Sequence, residues 1–129
     1  MPSRIYPTVA ETIEAHRLLI EEFGGLQGIR DSGRLESAVL RAQIGYYGNL
    51  IEQASALMES LANSDAFLDR NKGVGFVITD AMLRANGYFL DVEPDEAHKF
   101  ISDALEKKAF RFLMICDWIG SVVKTLDVE

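Results

Sequence analysis

The chain has 129 residues, room for one domain over 1–129 with a single core and too few for two ordinary ones. Hydrophobic residues make up 48% of it, which excludes an intrinsically disordered chain, and a formal net charge of -7 argues against a nucleic-acid phosphate backbone as partner. A single cysteine, Cys116, excludes an internal disulfide and a multi-cysteine zinc site, and reads as a small core residue. The N-terminus has no long apolar run after its first basic residue, and no stretch approaches the roughly 20 apolar residues that span a bilayer. The expectation is a soluble cytoplasmic protein with no membrane contact.

Residues 1–7 form a short lead-in. Thr8-Val9-Ala10-Glu11 has the form of a capping box, in which hydroxyl and carboxylate each serve a free N–H. Val9, Ile13, Ile20 and Phe23 then recur at helical spacing, with His16 on the same stripe. His16 has no second ligand one turn away, so it reads as a hydrogen-bonded core or boundary residue. Gly24-Gly25 ends the helix, because glycine enters a left-handed cap cheaply. After a loop from Leu26 to Arg30, Asp31 or Ser32 caps a second helix carrying Leu35, Val39 and Ala42 inward. Ile44 to Gly48 breaks the pattern; its two tyrosines cover the core with wet hydroxyls. Asn49 caps a third helix, with Leu50, Ala54, Leu57, Met58 and Leu61 along one face.

A polar stretch follows, from Asp65 to Gly75, and runs into the most apolar helix of the sequence, Val74 to Ala85. Apolar residues there point nearly all round, which predicts a helix submerged in the middle of a bundle. Asn86-Gly87 stops it, and Tyr88 to Val92 is extended. Pro94, with Asp95 and Glu96, opens a fifth helix, since proline and carboxylates suit a first turn. Its inner face is Ala97, Phe100, Ile101, Ala104 and Leu105, and His98 falls off that stripe into solvent. A last helix runs from about Ala109 to Lys124, and the tail from Thr125 is polar and frayed. With no alternating strand of useful length and no repeat, the predicted fold is all-α: a bundle of about six helices around a central buried one.

The loop before that helix carries the chemistry. A helix start leaves about four unpaired N–H groups and roughly half a positive charge, a site for a phosphate. Asp69 can hold a divalent cation beside it, and Lys72 can supply a full positive charge. The alternative is an ordinary loop whose charges face water.

Phe67-Leu68-Asp69-Arg70-Asn71-Lys72 resembles the core motif of the Doc (death on curing) branch of the Fic/Doc proteins, His-x-Phe-x-Asp/Asn-Gly/Ala-Asn-Lys-Arg. Phe23 to Asp31, followed by Gly33 to Ala38, resembles the N-terminal signature of the same family, and Arg84 to Tyr88 its helix end after the motif. The resemblance implies an all-α domain that uses ATP and Mg²⁺ and acts as a protein kinase. It implies a toxin that transfers the terminal phosphate to a threonine of elongation factor Tu, blocks translation, and is neutralised by a Phd-like antitoxin. In that pattern Asp69 holds Mg²⁺, Asn71 shapes the loop around the phosphates, Lys72 neutralises charge, and Phe67 plugs the loop into the core.

Three positions depart from the pattern. Asp65 stands where the family has its catalytic His, Gly73 where it has Arg, and Arg70 where it has Gly or Ala. A positioned base contributes about 10²–10⁴ in rate. A carboxylate is both shorter and less basic than an imidazole. Loss of an arginine fork removes charge-assisted bonds of about 1.5–3 kcal/mol each. The expectation is an inactive or attenuated copy, with Asp65, Asp69 and Lys72 as the catalytic set and Asn71, Lys72, Gly73 and Arg70 around the phosphates. Arg70 is long enough to swing towards that site in place of the missing arginine. The alternatives are a non-catalytic module that binds antitoxin or target, and an AMP-transferring Fic-type enzyme.

Overall fold

The structure is a computed structural model and describes residues 4–126. The first three residues of the lead-in and the tail from Asp127 lie outside it. Six α-helices follow one another: α1 (Val9–Phe23), α2 (Ser32–Leu40), α3 (Leu50–Asn63), α4 (Asn71–Ala85), α5 (Pro94–Glu106) and α6 (Phe112–Val122). The fold is all-α, as the periodicity predicts.

Local chemistry accounts for most helix starts. Thr8 and Glu11 close the capping box, Glu11 N–H to Thr8 Oγ1 at 3.0 Å and Thr8 N–H to Glu11 Oε1 at 2.9 Å. Asp31, not Ser32, caps α2, accepting the Arg34 N–H at 3.0 Å. Asn49 caps α3 through the Glu52 N–H at 2.9 Å. The start of α6 is made differently. Glu59, buried in α3, accepts the Phe112 N–H at 2.9 Å and pairs with Arg41 at 2.8 Å. That long-range cap places the start of α6 at Phe112 rather than Ala109.

The other end of α6 also differs from the expectation. Val123–Thr125 is a strand, β2, paired antiparallel with β1 (Tyr88–Leu90) in the register Leu90 to Val123 and Tyr88 to Thr125. Three residues are too short for an alternating pattern, so only the pairing itself reveals the strands.

Two hydrophobic clusters share one wall. The first gathers Leu35, Val39, Leu57, Leu61, Phe67, Val74, Ile78 and Met82 between α2, α3 and α4. The second gathers Ala54, Met58, Leu83, Leu90, Ile101, Phe110, Ile115 and Ile119 between α3, α5 and α6. Leu57 and Met58 are neighbours in sequence and face opposite clusters. The central helix is therefore α3, with eight of its 14 residues buried against six of 15 in α4. This corrects the expectation for α4, whose Val77, Ala81 and Arg84 stay exposed despite its apolar sequence. Gly75 lets the two helices close up: a Cβ there meets Ala62 N at 3.5 Å and Leu61 Cβ at 3.6 Å.

Candidate functional site

The loop from Asp65 to Arg70 is held to the body by its own backbone. Arg30 and Asp31 donate N–H groups to Ala66 O at 2.7 and 3.1 Å, and Leu68 N–H donates to Gly28 O at 3.1 Å. The Phe67 side chain is 1% exposed and stacks on His16, ring centroids 3.9 Å apart and planes 8° from parallel. His16 is itself buried, and its Nε2–H donates to Asp69 O at 2.9 Å. The histidine of the first helix is thus a core residue, as its isolation predicts, and it braces the motif loop from beneath.

Asn71 shapes the loop from above. Its Oδ1 accepts the Phe67 N–H at 3.0 Å and its Nδ2 donates to Phe67 O at 3.0 Å, so one amide completes both polar groups of one residue. The same Nδ2 lies 3.4 Å from Asp65 Oδ1. Asp65 has φ +56°, a left-handed conformation that aspartate tolerates better than most residues.

α4 begins at Asn71, three residues earlier than its apolar run. The first intrahelical bond goes from Val74 N–H to Arg70 O at 3.1 Å, and no side chain caps the start. The N–H groups of Asn71, Lys72 and Gly73 belong to that open first turn. A Cβ built on Gly73 meets only Leu19 Cδ1, at an ordinary 3.6 Å, so the position has room for a side chain.

Asp69 is clasped by a backbone donor on each oxygen. Its Oδ2 accepts the Leu26 N–H at 3.1 Å and its Oδ1 accepts the Arg70 N–H at 2.9 Å. Those two backbone donors hold its carboxyl below the usual carboxylate range, Leu26 first. Gly25 makes the approach possible. At φ +122° a Cβ there would lie 2.7 Å from Asp69 Oδ2 and 2.9 Å from Ile20 Cδ1.

Arg70 turns its guanidinium to the end of α1. Its Nε donates to Gly24 O at 2.6 Å and its Nη2 to Phe23 O at 2.7 Å. The last carbonyls of α1 are unpaired and carry its negative pole, so a guanidinium satisfies both needs at once. Arg70 has φ +57°, a strain of about 1–3 kcal/mol for such a residue, maintained by these contacts. Arg70 thus braces α1 against the start of α4 while also lining the hollows beside Lys72.

Lys72 stands between two hollows. One, of about 580 Å³, is lined by Asp65, Asp69, Arg70, Asn71, Lys72, Ser102 and Glu106. The other, of about 400 Å³, lies between α1, α4 and α5 with Phe23, Gly73, Phe76 and His98 on its walls. Lys72 Nζ donates to Ser102 Oγ at 3.1 Å, and Ser102 Oγ lies 3.5 Å from His98 Nε2. Asp69 and Lys72 therefore share one cavity, with Asp65 and Asn71 on the same wall. His98 and Ser102, one turn apart on the polar face of α5, join the lysine; their i,i+4 spacing was visible in the sequence, but not their partner. Among the described residues no three His, Cys, Asp or Glu side chains converge as a metal cage, and no helix is long and apolar enough to cross a membrane. Cys116 is half-buried and lines a separate cavity of about 620 Å³ near Glu52 and Phe112. Burial pushes its thiol up, which makes it a poor nucleophile.

No family model matches the chain. Over 88 residues it is 35% identical to the toxin Doc of Mycolicibacterium smegmatis, a match that covers 63% of this chain and 68% of that protein. The chain belongs to the Doc toxin family. In this member of the family the buried Phe67 and the Asn71 amide shape the loop before α4.

Proposed function

We propose that the chain is the toxin of a toxin–antitoxin pair, a Doc-type phosphotransferase attenuated at its proton acceptor. The observation that carries the reading is the Asn71 amide clamped on both backbone groups of Phe67, which presents an uncapped helix start beside Lys72. Such a start receives the terminal phosphates of ATP through backbone N–H groups and its dipole. Lys72 adds a point charge to that grip, within reach of both hollows. Asp65, Asp69 and Glu106 make the cavity acidic on balance, which opposes a bare polyphosphate. A divalent cation offsets that repulsion. Each Asp69 oxygen keeps a lone pair beyond its backbone bond, so Asp69 with the phosphates and water suits Mg²⁺, which bridges phosphate oxygens and neutralises their charge. Arg70 stays with α1 in this reading.

Asp65 occupies the place of the base. It lies on the cavity wall and is the group available to take a proton from an incoming hydroxyl, but with less basicity and less reach than a histidine. The acceptor in this reading is a threonine of elongation factor Tu, and a Phd-like antitoxin covers the toxin until it is needed. A second reading, a binding module without chemistry, is favoured by the engagement of Arg70 with α1, which ties down one of the two motif cations that line the cavity.

The test is to incubate the protein with ATP, Mg²⁺ and elongation factor Tu and weigh the factor. Slow addition of one phosphate supports the proposal, and Asp65→His with Gly73→Arg then raises the rate by roughly 10²–10⁴. An AMP-sized gain assigns nucleotidyl transfer instead. No gain even in the double variant, with antitoxin still bound, leaves the binding module.

A further inference from the structure

Ser102 sits where the loop's chemistry is aimed. It lies on α5, half-buried, across the 580 Å³ cavity from Asp65 and Asn71. Lys72 Nζ is 3.1 Å from its oxygen on one side, and His98 Nε2 is 3.5 Å from it on the other. A hydroxyl flanked by a phosphate-gripping cation and an imidazole is a nucleophile with its own base. We propose that Ser102 is an internal phosphate acceptor, so that the chain phosphorylates itself on α5. This rests on the reading that the loop grips ATP.

The step balances as follows. The Ser102 Oγ–phosphorus bond forms while the bond from the γ-phosphorus to the β–γ bridging oxygen breaks. ADP leaves, and the hydroxyl proton passes to His98 Nε2. A phosphate oxygen within hydrogen-bond reach of Lys72 brings the γ-phosphorus near Ser102 Oγ, because one ammonium touches both. The 3.5 Å contact to His98 is at the long end for a proton transfer, as catalytic contacts often are before substrate is bound. Replacing the family histidine by Asp65 weakens attack by a hydroxyl from another protein, by about 10²–10⁴. An internal hydroxyl needs neither docking nor that base. The chain itself holds it at the site at high effective concentration, and His98 stands as its base. The product carries roughly two negative charges beside Lys72, so the reaction limits itself to one phosphate per chain and weakens the grip on further ATP.

The full chain is incubated with ATP and Mg²⁺, and its intact mass and modified peptide are read. The expected result is a gain of one phosphate on Ser102, at a rate independent of protein concentration. Ser102→Ala abolishes it, Ser102→Thr restores it, and His98→Gln slows it by roughly tenfold or more. Nuclear magnetic resonance with a non-hydrolysable ATP analogue supplies a readout apart from turnover: the His98 ring and Lys72 side-chain signals move when it binds. Analogue binding without phosphate on Ser102, or with phosphate on another residue, overturns this proposal and leaves the ATP grip standing. Absence of analogue binding overturns both.

Discussion

Single residues decide which charges in the loop are free to act. Asp69 and Arg70 are adjacent and oppositely charged, yet each turns to backbone groups near the α1 end rather than to the other's side chain. Their types signalled a metal ligand and a phosphate ligand; their first duty is to bind α1 and its loop to the motif. The Asp69 carboxyl titrates below its ordinary range in the folded protein because Leu26 and Arg70 donate to its ionised form. A depressed folded value means that its contribution to stability is present above the unfolded carboxylate range and is lost as pH falls through the folded value. Acid titration of wild type and Asp69→Asn should therefore differ. Wild type loses stability over Asn as pH drops below about 4, and equal slopes in denaturant midpoint against pH would remove the clasp from the account.

At the scale of elements, helix ends made locally were legible and those made at a distance were not. Thr8, Asp31 and Asn49 cap helices a few residues away, so their residue types alone announce the starts of α1, α2 and α3. The start of α6 depends on Glu59, which is 53 positions away and 7% exposed. Glu59→Ala strands the Arg41 guanidinium and the Phe112 N–H together. It should lower stability by about 1–3 kcal/mol, an amount set by orphaned polar partners, while Glu59→Gln recovers part of it because an amide oxygen still accepts. Urea denaturation of the three proteins measures both effects. The open start of α4 looks like a polar loop in the sequence, because Asn71, Lys72 and Gly73 are not apolar. Its helical first turn follows from the Asn71–Phe67 clamp, which no periodicity reports.

For the whole molecule, the shared wall of α3 and α4 makes two hydrophobic clusters one cooperative unit. Trp118 belongs to the second cluster, stacked on Phe100 at 4.6 Å, so its fluorescence reports that half. Leu35 belongs to the first and is fully buried. Leu35→Ala should cost about 2–5 kcal/mol and shift the tryptophan midpoint as far as the midpoint of helical ellipticity. Separated midpoints would show that the halves melt independently. The identity of the submerged helix belongs to this scale too. α4 carries the run Val74 to Ile78, broken only by Gly75, yet α3 lies between the clusters, because small residues such as Ala54, Ala56 and Ala62 allow neighbours on every side.

By itself the sequence determined the helices, most of their caps, the family motif and the departures at Asp65, Arg70 and Gly73, because these depend on residue type and on neighbours a turn or two away. Only the tertiary structure decided that α3 is central, that Arg70 braces α1, and that Ser102 and His98 face Lys72. Those facts depend on which surfaces meet across dozens of residues, and a contact between α4 and α5 leaves no periodic trace in either helix.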